Sequence, residues 1–560
     1  MINPTNGRSR AALWLGRLTL VALLAAALPT NAQTANADSA AQRPAAGDSS
    51  MSRCSTGYLT HALHLPHVAV DSAVPETTGS YTPPGATAAI TGLPTFCAVD
   101  LTRTDSAGNP VHIAVWLPAK WNGRFQGIGG GGYSCGIFYA TPPGYVSPSL
   151  EQTLKVGYAS VSTDWGVPPA DANTGSWALK PDGQLNTDLI SDFASASIHD
   201  MTVAGKAVTQ AFYGDQIRYA YFNGCSTGGR EGLMEAQQYP TDYNGIVSGS
   251  PAINWTSWVP AAIWPALVMN QTHHALPTCK QDAFTAAAVK ACDPQDGVTD
   301  GIISDPVACD WNANKLIGQS TPCGTITAAD ATVMNKIWQG PVTARGRSLW
   351  FGLVRGASPA WLAATTTTDG VTEAVPLPHA VGWLGTWLKQ NPNWDWKTLT
   401  FTQYDQLFAQ SLREFSSTIA TDDPDLSRFN GNGGKILLWH GLADPIIPPQ
   451  GSIRYYQRVQ QATGGAAKTR SFARLFLAPG ADHCASAAGP TPTDPLAAIV
   501  AWVEHGQAPQ SIPATLTDPA TGAQTLSRPV CAYPLVARYT GRGSTTDARN
   551  FACAPTYQAR

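Results

Sequence analysis

Runs of apolar residues alternate with amphipathic stretches over two separate parts of the chain. In the first part, from about residue 112, the runs HIAVWLP, GYASVST, IRYAYFNG and YNGIVSG are almost continuously apolar, and TVAGKAVTQAFYG and GREGLMEAQQYP have the mixed pattern of helices. Strands of a parallel sheet are apolar on both faces because helices cover both sides. The pattern therefore predicts an α/β fold.

The same alternation returns near residue 435. KILLWHG and FARLFLAPG predict strands, and SIRYYQRVQQATG and DPLAAIVAWVEHG predict helices. The last helix carries its own boundary signals, with Asp494 as N-cap, Pro495 in the first turn and Gly506 as the stop. We predict that the two parts share one sheet, with residues 53–250 as its first part and residues 431–560 as its second.

Residues 251–430 interrupt this alternation. The segment holds 11 of the 18 tryptophans and is rich in Pro, Thr and Asn. We interpret it as a lid domain that is inserted between the two halves of the sheet. Its aromatic side chains either line a pocket for a flat substrate or form the core of the segment itself, and burial is the commoner use of aromatic residues.

The first residues have the pattern of a secretion signal. Three arginines precede the apolar run Leu18–Leu28, and small residues follow it. A membrane anchor needs about 20 apolar residues, so this run is too short to be one. We predict a signal peptide over residues 1–37 and a flexible leader over residues 38–52, whose small and polar side chains have nothing to pack against. The protein is expected to be secreted or periplasmic, without a membrane anchor.

Composition and charge restrict the class of protein. With 43% hydrophobic and 13% charged residues, the 560-residue chain can bury a large core. The formal net charge of −3, without a long run of Lys or Arg, argues against nucleic acid as a partner. Eleven cysteines in an exported chain favour disulfides, because the exported compartment is oxidising. An odd number leaves at least one thiol free or paired outside the chain.

A nucleophile elbow is predicted at GCSTG, residues 224–228. The motif has G-x-S-x-G spacing and lies between a predicted strand and a predicted helix, which is the context that such an elbow requires. Glycines permit the close backbone approach that so sharp a turn imposes. Ser226 is therefore the candidate nucleophile, although plain strand-to-helix turns can have the same spacing.

Two later strand ends supply a candidate base and its partner. Asp444 follows the run KILLWHG, and His483 follows the run FARLFLAPG. The chain order Ser226, Asp444, His483 is the order of the α/β-hydrolases. His440 also lies at a strand end, but it precedes Asp444 and is interpreted as structural. Asp482 is one peptide link from His483, where side chains usually diverge.

Two cysteines flank these candidate catalytic residues. Cys225 directly precedes Ser226, and Cys484 directly follows His483. If the serine and the histidine come within hydrogen-bond reach, their neighbours come near the Cα separation of about 4.4–6.8 Å that a disulfide tolerates. We predict a Cys225–Cys484 bridge that joins nucleophile to base.

The segments GCSTGGREG, HGLADPIIP and PGADHC together resemble the tannase and feruloyl esterase family. The resemblance covers nearly the whole chain after the leader, including WNGRFQGIGGGG, YNGIVSGSPA and ARYTGRGSTTDARNFAC. It implies an α/β-hydrolase fold with a large inserted lid domain that bears most substrate contacts. It also implies a secreted serine carboxylic ester hydrolase with the triad Ser226, Asp444 and His483.

The family resemblance further implies an oxyanion hole and several disulfides. The expected oxyanion donors are the backbone N–H of Thr227 and one from the glycine run 129–132, with Gly132 as the candidate, since glycine lets the backbone approach a reacting carbonyl closely. Proximity and the family pattern give the pairs Cys54–Cys97, Cys531–Cys553 and Cys279–Cys323. Cys135 would then be the free thiol.

The acidic segment CDPQDGVTDGIISDPVAC, residues 292–309, is a second chemical signal. Three carboxylates and two backbone carbonyls could surround a hard cation there. The spacing departs from the EF-hand loop, and a solvated acidic turn closed by Cys292–Cys309 would look the same. The resemblance implies a structural calcium ion, and no organic cofactor is expected. The expected ligands are Asp293, Asp296, Val298, Asp300 and Ile302.

The expected substrates are small esters of aromatic acids, such as feruloyl, caffeoyl or galloyl esters. A terephthalate monoester hydrolase of the same family is the alternative, but it would need a cation for the free carboxylate. The segment AVPLPHAVGWLGTW contains no Arg, although Arg355 or Arg413 could substitute. The alternative of another class is a non-catalytic secreted binding protein, which would be marked by a broken triad. The sequence leaves monomer and homodimer both open.

Overall fold

The computed structural model describes the chain from residue 50 almost to its C-terminus. The described ranges are residues 50–133, 136–141, 145–168, 173–518 and 520–555, and they lie in one compact unit. The predicted signal peptide, residues 38–49 of the predicted leader, and Cys135 lie outside these ranges. Met51 packs against the hydrophobic core, so the prediction of a loose leader is wrong for its last residues.

A nine-stranded sheet forms the centre of the fold, in the order β1-β2-β3-β5-β4-β6-β7-β8-β9. Neighbours from β5 to β9 are parallel, whereas the pairs β1–β2, β2–β3 and β3–β5 are antiparallel. The parallel sheet expected from the sequence is thus a mixed sheet. The strands are β1 (Val68–Glu76), β2 (Phe96–Thr104), β3 (Pro110–Pro118), β4 (Arg124–Ile128), β5 (Ala159–Thr163), β6 (Tyr219–Cys225), β7 (Gly245–Gly249), β8 (Lys435–Gly441) and β9 (Ala473–Ala478).

Helices accompany the sheet, and many begin and end at the residues that favour termini. The Asp494 side chain accepts a hydrogen bond from the Ala497 amide at the start of the last helix, and Gly506 ends it in the left-handed region. No helix of the described residues is long and apolar enough to cross a membrane. The helices are α1 (Thr56–Ala62), α2 (Leu150–Lys155), α3 (Thr187–Ser191), α4 (Ser197–Tyr213), α5 (Thr227–Gln238), α6 (Trp255–Ala261), α7 (Trp264–Gln271), α8 (Thr278–Cys292), α9 (Ala328–Gln339), α10 (Pro378–Gly382), α11 (Phe401–Ile419), α12 (Ser427–Gly431), α13 (Gln450–Ala462), α14 (Ala466–Thr469) and α15 (Pro495–His505).

Short antiparallel strands lie outside the main sheet. A three-stranded sheet follows β9 in the chain and contains Thr491–Pro492, Ser511–Thr517 and Gln524–Cys531. The remaining ones pair in twos: Ser80–Tyr81 with Ile90–Thr91, Ser320–Thr321 with Gly324–Thr325, Thr365–Thr368 with Val371–Ala374, and Leu535–Tyr539 with Phe551–Pro555.

The inserted segment, residues 251–430, connects two adjacent parallel strands, β7 and β8. It contains α6 to α11, and most of its tryptophans are core residues, as the simpler interpretation of the sequence expects. Trp361 is an exception at 50% exposure. The boundaries of a separate lid domain stay a prediction. The buried tryptophans are Trp255, Trp258, Trp264, Trp311, Trp338, Trp350, Trp383 and Trp387.

Candidate active site

Ser226 occupies a strained turn between β6 and α5. Its backbone has φ 63° and ψ −123°, a conformation that non-glycine residues rarely adopt. The Ser226 amide donates to the Gly249 carbonyl at 3.0 Å, and the Ser226 carbonyl accepts from the Ala252 amide at 2.9 Å. Backbone contacts with the end of β7 therefore hold the serine at the carboxyl edge of the sheet.

Close backbone contacts, rather than a need for conformational flexibility, require glycine at the positions around Ser226. A Cβ on Gly224 would lie 2.5 Å from the carbonyl carbon of Gly228, and a Cβ on Gly228 would lie 2.9 Å from that of Gly129. Real side chains do not tolerate such distances. The turn at Ser226 and the glycine run 129–132 are therefore in direct backbone contact.

A disulfide joins this turn to the loop after β9. Cys225 and Cys484 are bonded, with their Cα atoms 6.0 Å apart. Because Ser226 and His483 are the chain neighbours of these cysteines, the bridge brings the two candidate catalytic residues to the same edge of the sheet. No hydrogen bond involves Ser226 Oγ among the described residues. Such contacts often tighten only when substrate is bound.

His483 is hydrogen-bonded to Asp444 across the ends of β8 and β9. The distance from His483 Nδ1 to Asp444 Oδ2 is 2.7 Å, and the Asp444 carboxylate is completely buried. Burial opposes the charged form of each group, but their mutual attraction and this hydrogen bond outweigh it. The result is a pKa of Asp444 well below its ordinary value and a pKa of His483 above its ordinary value. The aspartate is thus ionised and can orient the imidazole.

His440 supports Asp444, a role that the order rule alone does not reveal. Its Nε2 lies 3.1 Å from Asp444 Oδ2, and its Nδ1 lies 2.8 Å from Ser452 Oγ. The other carboxylate oxygen of Asp444 accepts from the amides of Ile446 and Ile447 at 2.9 and 2.8 Å. The aspartate is therefore fixed on all sides before it meets His483.

A hydrogen bond connects the two residues that carry the predicted oxyanion donors, Thr227 and Gly132. The Thr227 hydroxyl donates to the Gly132 carbonyl at 2.8 Å. Neither the Thr227 amide nor the Gly132 amide donates a hydrogen bond within the part of the chain that the structure describes. Both amides therefore lack an internal hydrogen-bond partner, and their role as oxyanion donors stays a prediction.

Glu231 holds the glycine run in place, and no sequence signal indicates it. Its fully buried carboxylate accepts the Gly130 amide at 3.0 Å, over a separation of 101 residues. Burial raises the pKa of Glu231 to about 7, although Arg230 and the Gly130 amide oppose the shift. The Gly130 carbonyl in turn accepts the Gly228 amide at 3.0 Å.

The acidic loop 292–309 folds its carboxylates onto itself. Asp293 accepts the amides of residues 300 and 301, and Asp300 Oδ2 pairs with Arg528 at 2.6 Å. Asp296 accepts the Val298 amide at 2.8 Å and the Ser304 hydroxyl. Burial raises the pKa values of Asp296 and Asp300, and repulsion among the loop carboxylates adds to this.

Three residues outside the acidic loop hold their possible metal-ligand atoms close together. Among the described residues, His199, Glu235 and Asp242 form the one group of three whose ligand atoms all lie within 4.8 Å. His199 Nδ1 is already 2.6 Å from Asp242 Oδ2, and the Lys206 ammonium donates to the Asp242 carbonyl. A cation is therefore already present beside these carboxylates.

The structure contains all five predicted disulfides. Besides Cys225–Cys484 they are Cys54–Cys97, Cys279–Cys323, Cys292–Cys309 and Cys531–Cys553. The two arginines considered for a carboxylate are engaged elsewhere. Arg355 donates to the Trp311 carbonyl at 2.8 Å and lies over the Trp338 ring, and Arg413 pairs with Glu414 on the surface.

Known proteins are similar to this chain over most of its length. A family model described as tannase and feruloyl esterase matches residues 97–554. A probable feruloyl esterase of Arthroderma benhamiae is 43% identical over 473 residues, covering 82% of this chain and 86% of that protein. The mono(2-hydroxyethyl) terephthalate hydrolase of Piscinibacter sakaiensis is 31% identical over 533 residues, covering 84% and 86%. The crystal structure of feruloyl esterase B from Aspergillus oryzae has a TM-score of 0.79 at 27% identity, covering 90% of this chain and 100% of that one.

Proposed function

The chain belongs to the tannase and feruloyl esterase family and is a carboxylic ester hydrolase, and we propose that it cleaves aromatic acid esters through an acyl-enzyme on Ser226. One observation carries the assignment of the triad. The Cys225–Cys484 bridge joins the serine turn to the loop of a histidine that is hydrogen-bonded to the buried Asp444. The hydrogen bond between base and orienting group is thus formed, and the bridge supports the proposal that Ser226 is the nucleophile that this pair serves.

In the acylation step, His483 takes the proton of Ser226 as the hydroxyl attacks the ester carbonyl. Asp444 holds the Nδ1 side of the imidazole, so Nε2 is the atom that accepts the proton. Negative charge develops on the carbonyl oxygen, where the amides of Thr227 and Gly132 donate to it. His483 then protonates the departing alcohol, which leaves the acyl group on Ser226.

In the deacylation step, water repeats the sequence. His483 removes a proton from water, the resulting hydroxide attacks the acyl carbonyl, and the same two amides stabilise the second intermediate. Collapse returns the proton to Ser226 and releases the aromatic acid. No organic cofactor enters either step, because proton transfer and acyl transfer are the only chemistry required.

The proposed substrates are feruloyl, caffeoyl or galloyl esters rather than terephthalate monoesters. A free terephthalate carboxylate asks for a cation, ideally a bidentate arginine. Arg355 is committed to the Trp311 carbonyl and the Trp338 ring, and Arg413 to Glu414. Neither contact involves a residue of the candidate active site, which supports a substrate without a second carboxylate.

Turnover by the wild type and by Ser226→Ala tests the assignment. With 4-nitrophenyl acetate and with methyl ferulate, we expect the variant to lose at least about 1,000-fold in kcat/KM. The exposed Ser106→Ala serves as the matched control and should keep the wild-type rate. Equal rates for wild type and Ser226→Ala would remove the triad assignment. A panel of methyl ferulate, methyl gallate, chlorogenate and the terephthalate monoester would then rank the acyl groups.

A structural calcium ion in loop 292–309 is part of the proposal. The donor set fits a hard cation, since it consists of oxygens alone and its carboxylates, of which Asp296 and Asp300 are half-buried, repel one another. To bind the ion, Asp293, Asp296 and Asp300 would act with the carbonyls of Val298 and Ile302. Binding would turn these carboxylates from the loop amides and Arg528 towards the ion.

Metal analysis and melting test the calcium proposal. The purified protein should contain about one calcium per chain, and chelation should lower its Tm. Asp300→Asn should lose the metal, whereas Asp305→Asn, a neighbour outside the ligand set, should keep it. Absence of calcium after purification in calcium buffer, with no change of Tm on chelation, would contradict the site.

Export to an oxidising compartment is also proposed. Five disulfides support it, because such bonds persist in secreted and periplasmic proteins and are rare in reducing compartments. Fractionation of cells that express the full chain would test it, with N-terminal sequencing of the mature protein. A product that retains Met1 and stays in the reducing compartment would contradict it.

A further inference from the structure

A cleft in the inserted segment lies between a hairpin turn, residues 343–349, and helix α11. Backbone hydrogen bonds at 2.8 Å close the turn, from the Thr343 amide to the Arg347 carbonyl and from the Gly346 amide to the Thr343 carbonyl. The cleft, called the hairpin cleft below, has a volume of about 630 Å³, which is in the range of small-molecule sites. None of its lining residues, all of which the structure describes, belongs to the candidate active site.

Apolar side chains form much of the lining of the hairpin cleft. Phe408, Ala409 and Leu412 lie on one face of α11, because residues three or four positions apart are neighbours on a helix. Leu349 of the turn lines the same cleft. Phe408 is buried, whereas 40% of Leu412 is exposed. The cleft therefore has an apolar wall against which a flat hydrophobic body can pack.

Two arginines add positive charge to the hairpin cleft. Arg345 and Arg347 line it, and both are exposed. Neither guanidinium forms an ion pair or a hydrogen bond with any residue that the structure describes. Asp405 is the acidic residue of the lining, but its Oδ2 accepts the Ala344 amide at 2.9 Å and its Oδ1 is buried. Positive charge is therefore in excess, and it is available to an anion.

A ligand that uses both features must combine an anionic group with an apolar body. A guanidinium binds a carboxylate through two parallel hydrogen bonds, and it also stacks on aromatic faces. Aromatic acids meet both conditions, and they are the products of the proposed hydrolysis. Alkyl carboxylates share the charge but lack the flat face, and the intact neutral esters lack the charge.

We propose that the hairpin cleft is a second binding site, separate from the candidate active site, for small aromatic carboxylates of the class that the hydrolysis releases. The inference rests on the proposed function for the identity of the acid. Arg345 and Arg347 bind the carboxylate, and Leu349 and Leu412 pack against the ring. The cleft thus distinguishes the acid product from the ester substrate by charge.

Calorimetry with 4-hydroxycinnamate tests the site. Arg345→Gln/Arg347→Gln removes both charges and keeps polar side chains on the surface, and it should weaken binding about 10-fold or more. Leu412→Asp, which removes apolar surface and adds a negative charge to the cleft, should also weaken it. Arg413→Gln is the matched control, because Arg413 is an exposed arginine of the same helix that is paired with Glu414. This control should bind the acid as the wild type does.

A series of ligands tests the two features separately. Acetate has the charge without the ring, and 4-hydroxycinnamamide has the ring without the charge, so each should bind at least about 10-fold more weakly than 4-hydroxycinnamate. Octanoate should also bind more weakly than the aromatic acid.

Three outcomes would overturn the proposal. Equal Kd values for the wild type and Arg345→Gln/Arg347→Gln would remove the site. Acetate that binds as tightly as 4-hydroxycinnamate would reduce it to a nonspecific anion site, and tighter binding of octanoate would overturn the aromatic assignment. These measurements use the free acid and need no turnover. Equal turnover by the wild type and Ser226→Ala would instead remove the triad assignment and leave the cleft as a binding site.

Discussion

The Cys225–Cys484 bridge provides the sharpest test of how this fold positions its chemistry. We consider the double variant Cys225→Ala/Cys484→Ala. Both cysteines are buried, and Cys484 has φ 54°, a conformation in which alanine is no more strained than cysteine. The substitutions therefore remove the covalent link between the serine turn and the histidine loop while they leave the backbone requirements unchanged.

The size of the stability loss follows from the loop that the bridge closes. For a separation of 259 residues, the chain-entropy model gives about 19 cal/mol/K, or about 5.6 kcal/mol at 25 °C. The matched control, Cys531→Ala/Cys553→Ala, opens a bridge with a separation of 22 residues and should lose about 3.4 kcal/mol by the same formula. Both variants should be destabilised, and the active-site variant should lose more.

Activity separates the two variants more clearly than stability does. A misplacement of about 1 Å between reacting groups can cost about 100-fold in rate. We therefore expect kcat to fall by about 100-fold in Cys225→Ala/Cys484→Ala and to change little in the control. Urea unfolding gives the free energies of unfolding, and kcat is measured well below the midpoint, where both variants are folded. A folded active-site variant with the kcat of the control would refute the idea that the bridge positions base against nucleophile.

Three further substitutions probe the groups around this bridge. Asp444→Asn should lower kcat about 10⁴-fold. A pH–rate profile of the wild type should show activity falling as pH drops through a His483 pKa above 6.5, and in the variant this fall should move to lower pH. Glu231→Gln should remove a pH dependence of stability. In the wild type, a buried carboxyl with a pKa raised from 4.5 to about 7 stabilises the folded state below pH 4.5, and up to about 3 kcal/mol of the free energy of unfolding is lost as pH rises to 7. Urea unfolding at pH 5 and pH 7 would measure this loss. Gly228→Ala, whose Cβ would lie 2.9 Å from Gly129, should displace the oxyanion donors and lower kcat by about 100-fold with a smaller effect on KM.

The sequence predicts most of the strands that are buried on both faces, β3 among them, and misses β1 and β2 at the antiparallel end of the sheet. β6 to β9 are apolar runs because helices or the insertion cover both sides. β1 is an edge strand that contains Pro75 and alternates half-buried with exposed positions. The apolar-run criterion therefore has no signal for it, although alternation of exposure is what an antiparallel edge strand produces.

In the candidate site, too, local motifs could be predicted from the sequence, and contacts between distant residues could not. Ser226, Asp444 and His483 lie in short motifs at strand ends, so spacing and chain order indicate them. Glu231 touches Gly130 across 101 residues, and no local pattern encodes that hydrogen bond. His440 lies four residues before Asp444, yet its role depends on how the loop after β8 folds back onto it. Hydrogen bonds that form only in the tertiary fold are therefore the part of the site that the sequence could not predict.

The aromatic cluster around Tyr133 joins the inserted segment to the loop of the candidate oxyanion donor. Tyr133 belongs to the loop that carries the candidate oxyanion donor, but its ring packs against Trp255, Trp387 and His379 of the inserted segment. Because packed side chains transmit displacements rather than absorb them, a change in the insertion should also move the loop of the candidate oxyanion donor. Substitutions at these positions should thus alter kcat together with KM, unlike those in a lid that merely covers the substrate. We therefore expect the insertion to contribute, through Tyr133, to the position of the candidate donor Gly132.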